Sequence, residues 1–87
     1  MTQLNSRNAD TLRKIYEKPT RSDIQWVKIE ALFRALEATI IQRKGSKVCV
    51  KLNQERAVFH TPHPEKEACK GLVEDIREFL YNADIQP

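Results

Sequence analysis

Near Thr39 the hydrophobic period of this chain changes from helical to alternating, and that change restricts it to a layered fold. Before the change, Trp26, Ile29, Leu32, Phe33 and Leu36 recur three and four residues apart, as one stripe along a helix. After it, Val48, Val50 and Leu52 alternate with Lys47, Cys49 and Lys51, the pattern of a strand with one buried face. Helices with one apolar stripe and a sheet with one apolar face bury both surfaces by packing the helices on one side of the sheet. A chain of 87 residues has room for one core and little more. A deep cavity is not expected, so any site should be shallow and its ligand large and held from outside.

The remaining elements follow from the same signals. Leu12, Ile15 and Tyr16 have helical spacing ahead of the Lys18-Pro19-Thr20 turn, which predicts a short helix over residues 10–17. Ser22-Asp23-Ile24-Gln25 reads as a capping box, with Ser22 as the N-cap of the second helix. A first strand is expected over residues 39–43. Lys44-Gly45-Ser46 forms a turn into the Val48 strand, and Asn53-Gln54-Glu55 forms a second turn that lacks the favoured Asn-Gly pair. The third strand runs from Arg56 to His60 with Phe59 inward, and Thr61-Pro62-His63-Pro64 ends the sheet. Cys69, Leu72, Val73, Ile76 and Leu80 then mark a last helix that begins between Glu67 and Lys70 and closes near Asn82. Gly71 weakens its first turn by about 1 kcal/mol relative to alanine. Close approach of a ligand to the backbone and tight packing on the sheet both account for a glycine there. The expected architecture is α+β, in the order α-α-β-β-β-α. Residues 1–21 form an N-terminal extension and residues 22–87 the main domain.

The outer sheet face then carries Lys47, Lys51, Arg56 and His60. With a net charge of +3, this face suits an anionic partner such as nucleic acid. The same alternation also describes an ordinary two-faced strand. Other chemistries fit poorly. Two glycines leave no Gly-rich phosphate loop, and no serine stands in a nucleophile elbow. Glu65, Glu67, Glu74 and Asp75 follow the spacing of a solvated helix surface, and Trp26 belongs to the core stripe. Cys49 and Cys69 lack metal-ligand spacing and read as reduced, partly buried thiols. No metal and no cofactor are expected. The start of the chain lacks a signal-peptide core, and no apolar run reaches the roughly 18 residues of a membrane span. These features predict a cytoplasmic protein without a membrane partner.

Several segments in combination resemble the HicA family of bacterial toxins. They are Ala35-Leu36 at the end of the second helix, Lys44-Gly45-Ser46, Ala57-Val58-Phe59-His60, His63-Pro64-Glu65-Lys66-Glu67, Lys70-Gly71 and Asn82-Ala83-Asp84-Ile85. The stretch from Thr11 to Trp26 is similar to a longer subgroup with an extra leading helix. The resemblance implies a fold like that of double-stranded-RNA-binding domains. It also implies a type II toxin that cleaves mRNA and is neutralised by a HicB antitoxin. The RNA surface would comprise Lys44, Gly45, Ser46, Lys51, Arg56, Lys66 and Lys70.

This chain departs from the family pattern at one position that matters for chemistry. The family's catalytic histidine follows Gly-Ser, and Lys47 stands there. Histidine suits proton removal from a ribose 2′-OH near neutral pH. A lysine ammonium is a poor base, although it can stabilise charge developing on phosphate. Glu37 and Asp84 also stand where the family often has glycine. The histidines of the chain are His60 and His63, so a working nuclease would take its base from one of them, with Lys47 as electrostatic stabiliser. A catalytically impaired protein that binds RNA, or one whose toxin-like face only docks an antitoxin, are the other readings.

Overall fold

A computed structural model of the protein describes residues 4–87, which form three helices and one sheet in the order α1 (Ser6–Ile15), α2 (Trp26–Ala35), β1 (Thr39–Gln42), β2 (Lys47–Leu52), β3 (Glu55–His60) and α3 (Lys70–Asn82). The sheet is an antiparallel meander in the order β1-β2-β3. Phe33, Val48, Val50, Val73, Ile76 and Leu80 are fully buried between the helices and one sheet face. This is the α+β arrangement expected from the change of period.

An aromatic cluster holds the layers together. Phe33 of α2 stacks on Phe59 of β3 at 6.2 Å and meets Phe79 of α3 edge-on at 6.1 Å. Phe59 and Phe79 close the triangle at 5.7 Å, and Trp26 packs edge-on against Phe33. Such pairs contribute roughly 0.5–1.5 kcal/mol each beyond the area they bury. Trp26 is thus committed to the core side.

Two helix starts differ from expectation. α1 begins earlier than the apolar spacing indicates, because the Asn5 side chain caps it by accepting from the Asn8 N–H at 2.8 Å. α2 begins at Trp26, with Gln25 as its N-cap and no side-chain cap, so Ser22 does not cap it. Residues 24–26 instead run extended beside the segment before α3. The Trp26 N–H donates to the Lys66 carbonyl at 2.9 Å, and the Ala68 N–H donates to the Ile24 carbonyl at 2.8 Å. A backbone partner from far along the chain therefore meets the Trp26 N–H, the first of the donors that a helix start leaves without an intrahelical partner. Asp23 turns to Arg21 at 2.8 Å, and this hydrogen-bonded pairing holds the Asp23 carboxyl below the usual carboxylate range.

α1 belongs to the same core through Leu12 and Ile15. Arg77 of α3 fastens its C-terminal end by donating to the carbonyls of Ile15 at 2.9 Å and Glu17 at 3.1 Å. A guanidinium on the negative end of a helix is electrostatically favourable. The Tyr16 hydroxyl donates to the Ile85 carbonyl at 2.5 Å, and burial pushes this phenol above its ordinary pKa.

The positions that need a left-handed backbone are informative. Gly45 has φ 74°, as its turn requires. Glu37 and Asp84 both have φ 64° just beyond a helix end. In the second hairpin Asn53 (φ 49°) and Gln54 (φ 72°) are both left-handed, the signature of a type I′ turn. The Asn53 amide also donates to the Ala83 carbonyl at 3.0 Å, tying the hairpin to the end of α3. A glutamine in the second turn position carries a Cβ penalty that glycine lacks. Gln54→Gly should therefore raise unfolding stability by about 1 kcal/mol in a urea titration. A destabilised variant would contradict this turn geometry.

Candidate nucleic-acid interface

The outer sheet face is built from three cross-strand rows. Thr39, Lys51 and Arg56 form one, Ile41, Cys49 and Val58 the next, and Lys47 with His60 the last. Arg43 extends the last row, since its N–H donates to the Lys47 carbonyl at 2.8 Å. Its alternation with Thr39 and Ile41 carried the signal for this cation, which motif reasoning overlooked. Arg43, Lys47, Lys51, Arg56 and His60 are all exposed. None of them joins an ion pair among the described residues.

The two basic rows flank an apolar strip with uneven exposure. Ile41 is 37% exposed and Val58 54%, whereas Cys49 between them is 1% exposed. Strand parity places Cys49 outward with the lysines, in the row between Ile41 and Val58, yet its small side chain is buried. Cys69 is exposed. It stands at the N-cap of α3 and not in the buried stripe, where Ala68 takes its place.

Lys47 and His60 face one another directly across β2 and β3. The Thr61 N–H donates to the Ser46 carbonyl at 2.8 Å, so that adjacent pair is the hydrogen-bonded one. The Lys47–His60 pair is then of the non-hydrogen-bonded kind, in which the Cα atoms approach to about 4.5 Å and the side chains lie closest. The Thr61 hydroxyl donates to the same Ser46 carbonyl at 2.9 Å, which locks the Gly45 turn onto the end of β3. Lys44, Gly45 and Ser46 are exposed at this end, next to Lys47.

His60 and His63 line one groove of about 840 Å³ along the edge of β3. His63 is held between Pro62 and Pro64, with the second of these peptides cis. Lys47 does not line that groove, so His60 is the residue shared between the basic row and the groove. Lys66, on the segment before α3, and Lys70, the first residue of α3, are exposed and stand outside the cross-strand rows of the sheet face. Gly71 also borders the His60 groove, and a methyl group added there would meet nothing within 4 Å. Tight packing on the sheet is therefore not the reason for that glycine. Among the described residues no group of three or more histidine, cysteine or acidic side chains is placed to hold a metal ion. Among the described residues no helix is long and apolar enough to cross a membrane.

A small one-sided α+β sandwich with an open basic sheet face is the class that this geometry defines. Its order after α1, α-β-β-β-α, is that expected for a fold like double-stranded-RNA-binding domains. Residues 26–84 match the family model of the HicA toxin of bacterial toxin–antitoxin systems, and the chain belongs to that family. α1 precedes the matched region as an additional helix. No curated protein and no solved structure matches the chain.

The facing of Lys47 and His60 can be tested chemically. Cα atoms of a non-hydrogen-bonded pair lie within the roughly 4.4–6.8 Å range of a disulfide. In a Cys69→Ser background, the Lys47→Cys/His60→Cys double variant should close an intramolecular disulfide under mild oxidation, seen by mass spectrometry as loss of two hydrogens. An open dithiol under the same conditions would contradict the register.

Proposed function

We propose that this HicA-family protein is an mRNA-cleaving toxin in which His60 replaces the family's histidine as the base. The observation that carries this reading is the direct opposition of His60 and Lys47, across one strand pair and beside the Gly45 turn. Lys47 occupies the position that the family gives to its histidine. The neighbouring strand thus supplies an imidazole at the same place on the sheet.

In the proposed reaction His60 takes the proton of a ribose 2′-OH. The 2′-oxygen bonds to the adjacent phosphorus, and the bond to the 5′-oxygen breaks. His63, on the same groove, protonates the departing 5′-oxygen. The products are a 2′,3′-cyclic phosphate and a 5′-hydroxyl, so no external co-reactant is consumed. The Lys47 ammonium stabilises charge that grows on the phosphoryl oxygens. Arg43, Lys44, Lys51 and Arg56 hold neighbouring phosphates, Gly45 and Ser46 give the strand close access to the turn, and Lys66 and Lys70 contact RNA beyond the cleavage point. Such contacts need exposed cations and no deep pocket. The proposed setting is the bacterial cytoplasm, with a HicB-type antitoxin as the neutralising partner.

A second reading rests on Lys47 itself. A lysine in place of the histidine suits a protein that holds RNA by phosphate contacts without cutting it. One experiment separates the two. Purified protein should convert a long RNA to fragments ending in 2′,3′-cyclic phosphate. His60→Ala should lower the rate by about 10²–10⁴-fold, and Lys47→Ala by about 10²-fold. RNA binding that weakens steeply with salt, with no cleavage products and with activity gained in Lys47→His, would establish the passive binder instead.

A further inference from the structure

The other side of β3 has a different character from the basic sheet face. β3 is an edge strand, and its pairing with β2 uses the backbone groups of Glu55, Ala57, Phe59 and Thr61. Strand geometry turns the N–H and C=O groups of Arg56, Val58 and His60 the other way, toward the open edge. Among the described residues these groups have no backbone partner. An uncovered edge is a template for one more strand, and folded proteins ordinarily blunt such edges with a covering element or an inward-pointing charge. Here the edge is left open along its full length. A groove of about 840 Å³ adjoins its His60 end and one of about 260 Å³ its Glu55 end.

The groove walls specify what kind of strand fits. Glu65, Glu67 and Asp75 line the larger groove, and Asp75, Glu78 and Glu55 line the smaller. None of these carboxylates takes part in an ion pair among the described residues. Arg56 is the one arginine or lysine on either wall. RNA phosphate is repelled from the stretch of wall formed by Asp75, Glu78 and Glu55, so that part of the edge is not a continuation of the basic face. A second copy of this chain pairing through β3 would bring two sets of these carboxylates together. Val58, 54% exposed in the middle of the edge, asks for an apolar neighbour in the added strand.

We infer that the open edge of β3 binds an extended segment of a partner protein as a fourth antiparallel or parallel strand, with basic residues at every second position facing α3 and apolar residues between them. Main-chain hydrogen bonds supply affinity in this mode, and alternate side chains supply specificity. About six residues span the edge at roughly 3.3 Å per residue. The docked strand runs alongside His60. If the cleavage site proposed above is correct, it also screens the base from RNA, but the docking itself does not depend on that reading.

The test uses the full chain and synthetic octapeptides that alternate lysine with valine or glutamate with valine. The lysine peptide should bind in fluorescence anisotropy at least about tenfold more tightly than the glutamate peptide. Binding should slow amide hydrogen exchange at Arg56, Val58 and His60. N-methylation of alternate peptide amides should abolish it. Asp75→Lys/Glu78→Lys, both at exposed positions, should reverse the preference while the circular dichroism stays unchanged. No binding, equal binding of the two peptides, or unslowed exchange at the three amides would overturn the inference. Concentration-dependent dimerisation through β3 in the absence of peptide would also overturn it, in favour of a second copy.

Discussion

The contact of Phe33, Phe59 and Phe79 is the constraint on which the rest of the structure depends. It ties α2, β3 and α3 to one another, and so holds α2 and α3 against the same side of a three-stranded sheet. Among the described residues no element covers the other side. That side is therefore solvent-facing by construction, and its side chains are free to be chosen for a ligand. α1 does not alter this balance. It packs on the helical layer, with Arg77 and Tyr16 bonded across to it, and thickens the covered side.

The two exposed surfaces that meet along β3 have opposite electrostatic character. The sheet face presents Arg43, Lys47, Lys51 and Arg56 with no carboxylate in its three rows. The edge turns toward Asp75, Glu78, Glu65 and Glu67. Arg43, Lys47 and Lys51 lie on the first surface alone and Arg56 on both, so a polyanion is drawn to the sheet more than to the Asp75 and Glu78 part of the edge. His60 stands at the junction. Its ring belongs to the basic row and its backbone to the open edge, which makes it the point where RNA chemistry and protein docking would compete.

Much of this was legible from residue spacing, because spacing reports local geometry. The alternation from Lys47 to Leu52 and the stripe from Trp26 to Leu36 establish which side chains face which way, and the α+β order follows. Features set by distant partners were not legible. Ser22 has the chemistry of an N-cap, yet Lys66 and Ala68 capture the backbone of residues 24–26 and move the helix start to Trp26. Cys49 has the parity of an exposed residue, yet it is buried. At the candidate site, the cations Lys47, Lys51 and Arg56 were visible one strand at a time. The pairing of Lys47 with His60 was not, because it depends on the register set by the Asn53-Gln54 turn. Glu37 and Asp84 show a third case. Their left-handed backbone just beyond a helix end is one that glycine ordinarily takes, and nothing in a glutamate or aspartate side chain signals it.

The central claim is that RNA lies on the open sheet face with His60 at the reacting phosphate. The most direct measurement is a nuclear magnetic resonance titration with an RNA whose 2′-hydroxyls are O-methylated, so that it binds without being cleaved. The account predicts the largest shift changes at Arg43, Lys47, Lys51, Arg56 and the His60 ring, with Asp75 and Glu78 little affected. Shift changes confined to α1, α2 or the start of α3, with the His60 ring unmoved, would contradict it.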